Sequence, residues 1–364
     1  MPVFELLSKR LQAGLLLVHG SEGFDVTLRN SVSERLATVH VKNLFLARRR
    51  LLWQVGAIRP LVDADVAIME LNPRVLSTWL ALLARRARRK PSVLWGHAWS
   101  RAGKGAATNV LRRAIRKLAD ATLAYSATEA RELRQLTPGA NVVAVPNALY
   151  SRGLMQSVVA DDVGSAFVFV GRLVPAKKPA LLLEAFAEAR RSLPAGASLI
   201  LVGEGPLRQE LEGRVATLGV QSQVTFRGHV NDWQGLQRIY GEALASVSPG
   251  YVGLSLIQSL SFGIPMIIAR DEPHSPEMEA ADEGRNALLF ESDDKDSLVA
   301  AMHEAWHRRE FWRAQRSDIA QSCARHYSID SMVDQILLAL DAVTGDAPSP
   351  TACGQDDSRR EEAM

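Results

Sequence analysis

Cysteine is almost missing from this 364-residue chain, which has only two. Cys323 and Cys353 exclude a disulfide scaffold. With no second Cys or His pair at finger-like spacing, they exclude a structural zinc site as well. A reducing compartment fits that usage. A continuous apolar span is also wanting. The one uncharged run of that length, residues 243–269, carries Pro249, Gly250, Gly253, Gly263 and Pro265, so it cannot be a spanning helix. It reads instead as strand, glycine-rich loop, short helix and strand, all buried. The opening Met1-Pro2-Val3-Phe4-Glu5 lacks the basic start of a secretory leader, and residues 15–18 are too short for its apolar core. No solenoid repeat is present. The expectation is a cytoplasmic chain, peripheral at most on the inner face of the membrane.

What is present points to two globular units. Hydrophobic residues make up 47% and charged residues 23%, the balance of a folded, non-collagenous chain. The length is too great for one ordinary core and about right for two. Net charge is only +3, yet residues 1–152 hold 24 Lys and Arg against 10 Asp and Glu, while the remainder holds 19 against 30. A basic half joined to an acidic half predicts that the first half meets something anionic.

Short β-branched or Leu-rich runs alternate with amphipathic stretches. Strands are expected at 14–19, 66–69, 93–96, 121–125 and 142–145, then at 166–170, 198–202, 224–227, 245–247 and 266–269. Helices are expected at 74–86, 106–118, 180–192, 207–218, 297–314 and 328–343. Nearly uncharged strands alternating with helices argue for an α/β chain with parallel sheets covered on both faces. The break lies at Pro146-Asn147-Ala148. The predicted units are residues 1–150, residues 166–327, a terminal helix 328–344 returning to the first unit, and a disordered tail 345–364 rich in Pro, Ser, Asp and Glu. Two doubly wound units would face each other across a cleft at the carboxyl ends of their strands.

Four motifs lie in the second unit. In the first, a hydrophobic strand ends at Gly171-Arg172, and Lys177 follows five residues after the Arg. Arg grips two phosphate oxygens and Lys adds a point charge, although a solvated basic loop has the same residues. The second is Gly203-Glu204-Gly205-Pro206, a tight strand-to-helix turn. The third is Phe226-Arg227-Gly228-His229-Val230, where a flat base could approach the backbone. The fourth runs from Ser248 to Pro265. There a glycine loop enters a helix near Gly253-Leu254-Ser255 with open first-turn amides, and Gln258 follows about one turn later.

In this order the motifs resemble the carboxyl-terminal half of the retaining GT-B glycosyltransferases, the large family that includes bacterial capsule and lipopolysaccharide transferases. The resemblance is strong over residues 166–290 and weaker in the first half. It implies two Rossmann-like domains facing across a cleft. Gly171, Arg172, Lys177 and the loop Gly253, Leu254 and Ser255 would hold the diphosphate of a nucleotide sugar. Gly228, Val230 and Gln258 would lie against the nucleoside. The family carries two glutamates eight positions apart, and this chain has Gly250 and Gln258 there. His274 and Glu277, just after the next strand, are candidates to replace the lost contact to the donor sugar, although a plain loop is the simpler explanation of them.

In the first unit, His97 follows a short apolar strand, where the resemblance implies a histidine facing the donor sugar. Trp99 and Arg101 beside it could touch sugar or acceptor. Basic runs at 48–50, 85–90 and 112–117 suit an anionic bilayer and a lipid-diphosphate acceptor, whereas no nucleic-acid module is visible. The chain opens on Pro2-Val3-Phe4-Glu5-Leu6-Leu7, which reads as the helix after the family's first strand and loop. The expected activity is hexose transfer from a nucleoside diphosphate sugar to an envelope glycan or lipid-linked acceptor, with retention and without a metal or cofactor. The alternatives are a non-catalytic nucleotide-sugar-binding partner in a polysaccharide assembly and an epimerase or phosphorylase-like enzyme of the same fold.

Overall fold

A computed structural model of the chain describes residues 2–11, 14–24, 34–100, 102–158 and 164–345. Two parallel sheets dominate it. The first has four strands in the order Ala67–Glu70, Ser92–Trp95, Ala121–Ala124 and Val142–Ala144. The second has six, in the spatial order Val224–Gly228, Ser198–Val202, Ala166–Val170, Ala243–Ser248, Met266–Ala269 and Ala287–Phe290. Ala166–Val170 opens this unit in sequence but lies in the middle of its sheet. Successive strands add first on one side of it and then on the other. Such a reversal produces a crevice at the strands' carboxyl ends.

Burial explains why these runs become strands. Phe167, Val168 and Phe169 are enclosed on both faces. Phe167 and Phe169 pack under the helix Pro179–Ala189 through Leu182, Leu183 and Phe186, while Val168 faces Leu236 and Tyr240 on the other side. The uncharged run resolves into strand Ala243–Ser248, helix Leu254–Ser261 and strand Met266–Ala269. The terminal helix Ile329–Thr344 crosses back to the first sheet and packs Met332, Val333 and Ile336 against Val93, Leu123 and Leu7. Residues 346–364, which hold nearly all of the expected disordered tail, lie outside the described residues.

Three features differ from the sequence-based expectations. An antiparallel hairpin, Lys42–Leu46 with Leu51–Val55, stands apart from the main sheet, and its turn carries the basic run at 48–50. Leu16–His19 pairs in parallel with Ala37–His40 rather than with the four-stranded sheet. The helical stretch after residue 295 is two helices, Lys295–His307 and Arg309–Tyr327. They break at Arg308, whose guanidinium lies over the Phe311 and Trp312 rings and donates to the carbonyl of Gly284.

The basic run at 85–90 is not uniformly a solvated face. Arg85 is fully buried. It donates to Ser92 Oγ, to the carbonyls of Leu61 and Ala64 at 2.5 and 2.9 Å, and to those of Asp65 and Pro91. Burial pulls its pKa down, yet these acceptors surround the cation. Arg85→Ala leaves them unpaired and is expected to cost about 3 kcal/mol or more, read as a lower midpoint in denaturant.

Candidate active site

The candidate site begins where the paired strands Ala166–Val170 and Ala243–Ser248 end together. Three neighbouring strand ends are stitched by backbone bonds: Gly171 N donates to Val202 O at 2.9 Å and Gly203 N to Gly228 O at 2.7 Å. A Cβ on Gly203 would lie 1.9 Å from the Gly171 carbonyl oxygen, so only glycine permits this approach. Close backbone packing therefore accounts for the Gly-Glu-Gly-Pro motif, and Glu204 merely pairs with Arg208 at 3.4 Å on the surface. Arg172 is exposed and has no ion-pair partner among the described residues.

Lys177 ends the 3-10 turn Pro175–Lys177 and reaches the glycine loop. Its Nζ donates to Tyr251 O at 2.7 Å and lies 3.7 Å from the Tyr251 ring centre. Burial pushes its pKa down to about 8. Two N–H groups remain for a ligand. Beyond the loop, helix Leu254–Ser261 starts after Gly253 with no side-chain cap, and among the described residues the amides of Leu254 and Ser255 have no protein acceptor. One free cation, one partly desolvated cation and a bare helix start thus share this end of the sheet.

Gly250 lies directly against the turn that carries Lys177. A Cβ there would approach Ala176 O to 2.4 Å and Lys177 Cα to 3.0 Å. Gly250→Glu is therefore expected to displace Lys177 and weaken diphosphate binding, by roughly tenfold in calorimetry if one charged hydrogen bond is lost. Gln258 faces tyrosines: its Nε2 donates to Tyr150 OH at 2.9 Å, and its Oε1 accepts from Tyr240 OH at 3.3 Å. These tyrosines belong to an aromatic cluster in which Trp233 and Phe262 stack at 4.1 Å. One N–H and one lone pair of Gln258 remain. Gly228 has the left-handed φ of +65° at its strand end, and Val230 packs near Trp233.

The opposing lip belongs to the first unit. His97 follows strand Ser92–Trp95 and is exposed, with Nδ1 3.6 Å from Glu129 Oε1 and its ring 4.6 Å from that of Tyr125. Arg112 holds the His97 carbonyl at 2.9 Å, and Arg116 holds that of Ala98 at 3.2 Å. Glu129 is fixed at the start of helix Ala127–Leu136: the capping Ser126 Oγ accepts from its amide at 3.0 Å, and Glu129 Oε2 reaches back past the cap to accept from Tyr125 N at 3.3 Å. Burial, with the charges of Glu70, Glu129 and Glu277 adding to it, pushes the Tyr125 hydroxyl up to about 12. It therefore remains a proton donor at neutral pH. Trp99 donates through Nε1 to Glu132 at 2.8 Å and is held away from free rotation. Arg101 lies outside the described residues.

Residues 274–279 join the two sides. His274 is bracketed: Val252 N donates to Nδ1 at 3.0 Å, and Nε2 lies 2.8 Å from Ala269 O. That pattern requires the neutral tautomer with its proton on Nε2. Ser275 N donates to Val252 O at 3.0 Å. Glu277 is buried, with Oε1 accepting from Asn147 Nδ2 at 2.7 Å and Oε2 without a partner. The Glu279 carboxylate crosses to the first unit and accepts from Ala127 N, Thr128 N and Thr128 Oγ1 at 2.8–2.9 Å. The residues reasoning from sequence missed are Tyr125, Glu129, Asn147 and Glu279. Two of them left a signal: Tyr125 directly follows a strand, and Ser126-x-x-Glu129 has capping-box spacing. Among the described residues, no three His, Cys, Asp or Glu side chains gather into a metal-binding group.

This architecture is the two-domain GT-B fold. HepE of Anabaena in complex with UDP superposes with a TM-score of 0.63 at 16% identity, covering 84% of this chain and 86% of that one. The apo lipopolysaccharide outer core galactosyltransferase WaaB gives 0.60 at 18% identity over 85% of each chain. Sucrose-phosphate synthase from Thermosynechococcus elongatus gives 0.63 at 18% identity, covering 95% of this chain and 93% of that one. Within the fold, residues 155–321 match the family model for Glycosyl transferases group 1. Mannosylfructose-phosphate synthase of Agrobacterium fabrum is 30% identical over 164 residues, which is 42% of this chain and 35% of that protein. A Campylobacter jejuni enzyme, GalNAc-alpha-(1->4)-GalNAc-alpha-(1->3)-diNAcBac-PP-undecaprenol alpha-1,4-N-acetyl-D-galactosaminyltransferase, is 28% identical over 159 residues, covering 43% of this chain and 42% of that one. The match thus spans less than half the length of these curated relatives.

Proposed function

We propose that the chain is a group 1 glycosyltransferase that moves a hexose from a nucleoside diphosphate sugar to an envelope glycan or lipid-linked acceptor, with retention of configuration. The observation that carries this reading is the convergence of Arg172, Lys177 and the uncapped start of helix Leu254–Ser261 at one strand end. Two cations and open amides suit the charge that grows on a departing diphosphate. In this reading no metal is needed, because Arg172 and Lys177 supply the positive charge. His97 contacts the donor sugar from the opposite lip, with Glu129 and Tyr125 fixing its place. The nucleoside lies along Gly228 and Val230. The undecaprenol diphosphate in the name of the Campylobacter relative supports an acceptor of the lipid-linked class.

One observation favours a second reading, a nucleotide-sugar-binding partner without turnover: Gly250 has no room for a side chain, and Gln258 is engaged by two tyrosines. A panel of nucleotide sugars incubated with membrane lipid extract separates the two. Transfer of sugar from any donor supports the transferase. Saturable donor binding without transfer or hydrolysis across the panel supports the binding partner.

A further inference from the structure

We propose that Glu279 is a positioning residue: it fastens the second unit to the start of helix Ala127–Leu136 and so sets where Glu129 and His97 stand. Its consequence for turnover rests on the transferase reading; the fastening and the placement of His97 do not.

A helix start leaves backbone amides with no partner inside the helix. At this one, Ser126 Oγ takes the amide of Glu129 from within the first unit. The next two go to the other unit. Glu279 Oε2 accepts from Ala127 N at 2.8 Å, and Oε1 accepts from Thr128 N and Thr128 Oγ1, both at 2.9 Å. A surface ion pair between two flexible side chains would fix little. Here one carboxylate meets two backbone amides that the helix holds rigid, at the end of the helix dipole that favours negative charge. The very next residue is Glu129, whose carboxylate lies 3.6 Å from His97 Nδ1.

Glu279 is anchored equally well on its own side. It lies on the 3-10 turn Pro276–Ala280, which is built onto the glycine loop. Val252 N donates to His274 Nδ1 and Ser275 N donates to Val252 O, each at 3.0 Å. Met278 packs against Leu256, Ile257 and Leu260 of the helix whose bare start belongs to the candidate diphosphate site. Direct contacts therefore run from the glycine loop through the turn to Glu279, the helix start, Glu129 and His97. Glu277 bonds Asn147 at 2.7 Å, at the break between the units. Loss of Glu279 leaves that joint in place and frees the lip alone.

The test reads the helix start, the His97 ring and the reaction separately, in the full chain. In Glu279→Ala, hydrogen exchange at Ala127 and Thr128 should quicken by roughly tenfold, and in Glu279→Gln, which keeps a carbonyl acceptor, by less. The His97 ring resonance should move in Glu279→Ala. Glu283→Ala, which removes a surface pair with Arg270 at 3.2 Å, should alter neither. For sugar transfer, Glu279→Ala should lower kcat by roughly tenfold with KM for the donor within about twofold, and Glu279→Gln should recover part of the loss. Thr128→Val should reproduce part of it and add nothing to Glu279→Ala. Unchanged exchange at Ala127 and Thr128 overturns the fastening. Faster exchange with an unmoved His97 resonance or a wild-type kcat overturns the positioning role, as does a fall in kcat that Glu283→Ala shares. If the wild type transfers sugar from no donor while exchange and the His97 resonance respond as expected, the transferase reading falls and the positioning stands.

Discussion

His97→Ala is expected to lower sugar transfer by roughly 100-fold to 1000-fold, the usual loss when one placed hydrogen-bonding group at a reacting centre is removed. Donor affinity should change by less than about threefold, because the proposed diphosphate site lies in the other unit. The geometry behind this split is specific. His97 is exposed at a strand end, its carbonyl is pinned by Arg112, and its ring stands between Glu129 and Tyr125. None of these contacts belongs to the loops proposed to hold the donor, so the fall should appear in kcat and leave KM for the donor nearly intact. Glu129→Gln keeps an acceptor for the Tyr125 amide but removes the charge beside the ring, and should produce a smaller loss in the same parameter. A parallel fall in donor affinity for both variants would mean that this lip shapes binding rather than reaction.

Removal of the Lys177 ammonium should have the opposite signature. Lys177→Ala is expected to weaken nucleoside diphosphate binding by roughly 10- to 100-fold, in line with about 1.5–3 kcal/mol for a hydrogen bond to a charged group. Arg172→Ala should weaken it by a similar factor. The wild-type protein should also bind more weakly as pH rises through about 8, where the free protein's Lys177 loses its proton. The sign follows from the charge: below that pH the ammonium is present and attracts the diphosphate, and above it binding must first take up a proton. Lys177→Ala should flatten this dependence between pH 7 and 9.5. Calorimetry at three pH values checks both. A wild-type affinity that rises across that range would contradict the role given to Lys177.

Much of the fold was legible because strand burial on both faces leaves uncharged runs such as 166–170 and 266–269 standing out from amphipathic helices. The hairpin of Lys42–Leu46 and Leu51–Val55 escaped notice because its half-exposed residues mix Lys, Asn and Gln with Leu and Trp, and its turn is built of arginines rather than glycines. Among the candidate site residues, Lys177 could be picked out by its distance from Gly171-Arg172, but its desolvation depends on Tyr251, 74 positions away. Glu277 and Glu279 are separated by one residue and have different partners, Asn147 and the start of helix Ala127–Leu136. Only the docking of the two units creates those contacts, so no local pattern announces them. Gly250 was visible as a departure from the resembled family, while its cause, the Ala176 carbonyl filling the space, is a matter of tertiary packing.

A crystal structure of the protein soaked with UDP tests the diphosphate site directly. The expected result places the diphosphate oxygens within hydrogen-bond reach of the Arg172 guanidinium, Lys177 Nζ and the amides of Leu254 and Ser255, facing His97 across the cleft. A nucleotide bound elsewhere, with Lys177 still resting on Tyr251 and the helix start bare, would contradict it.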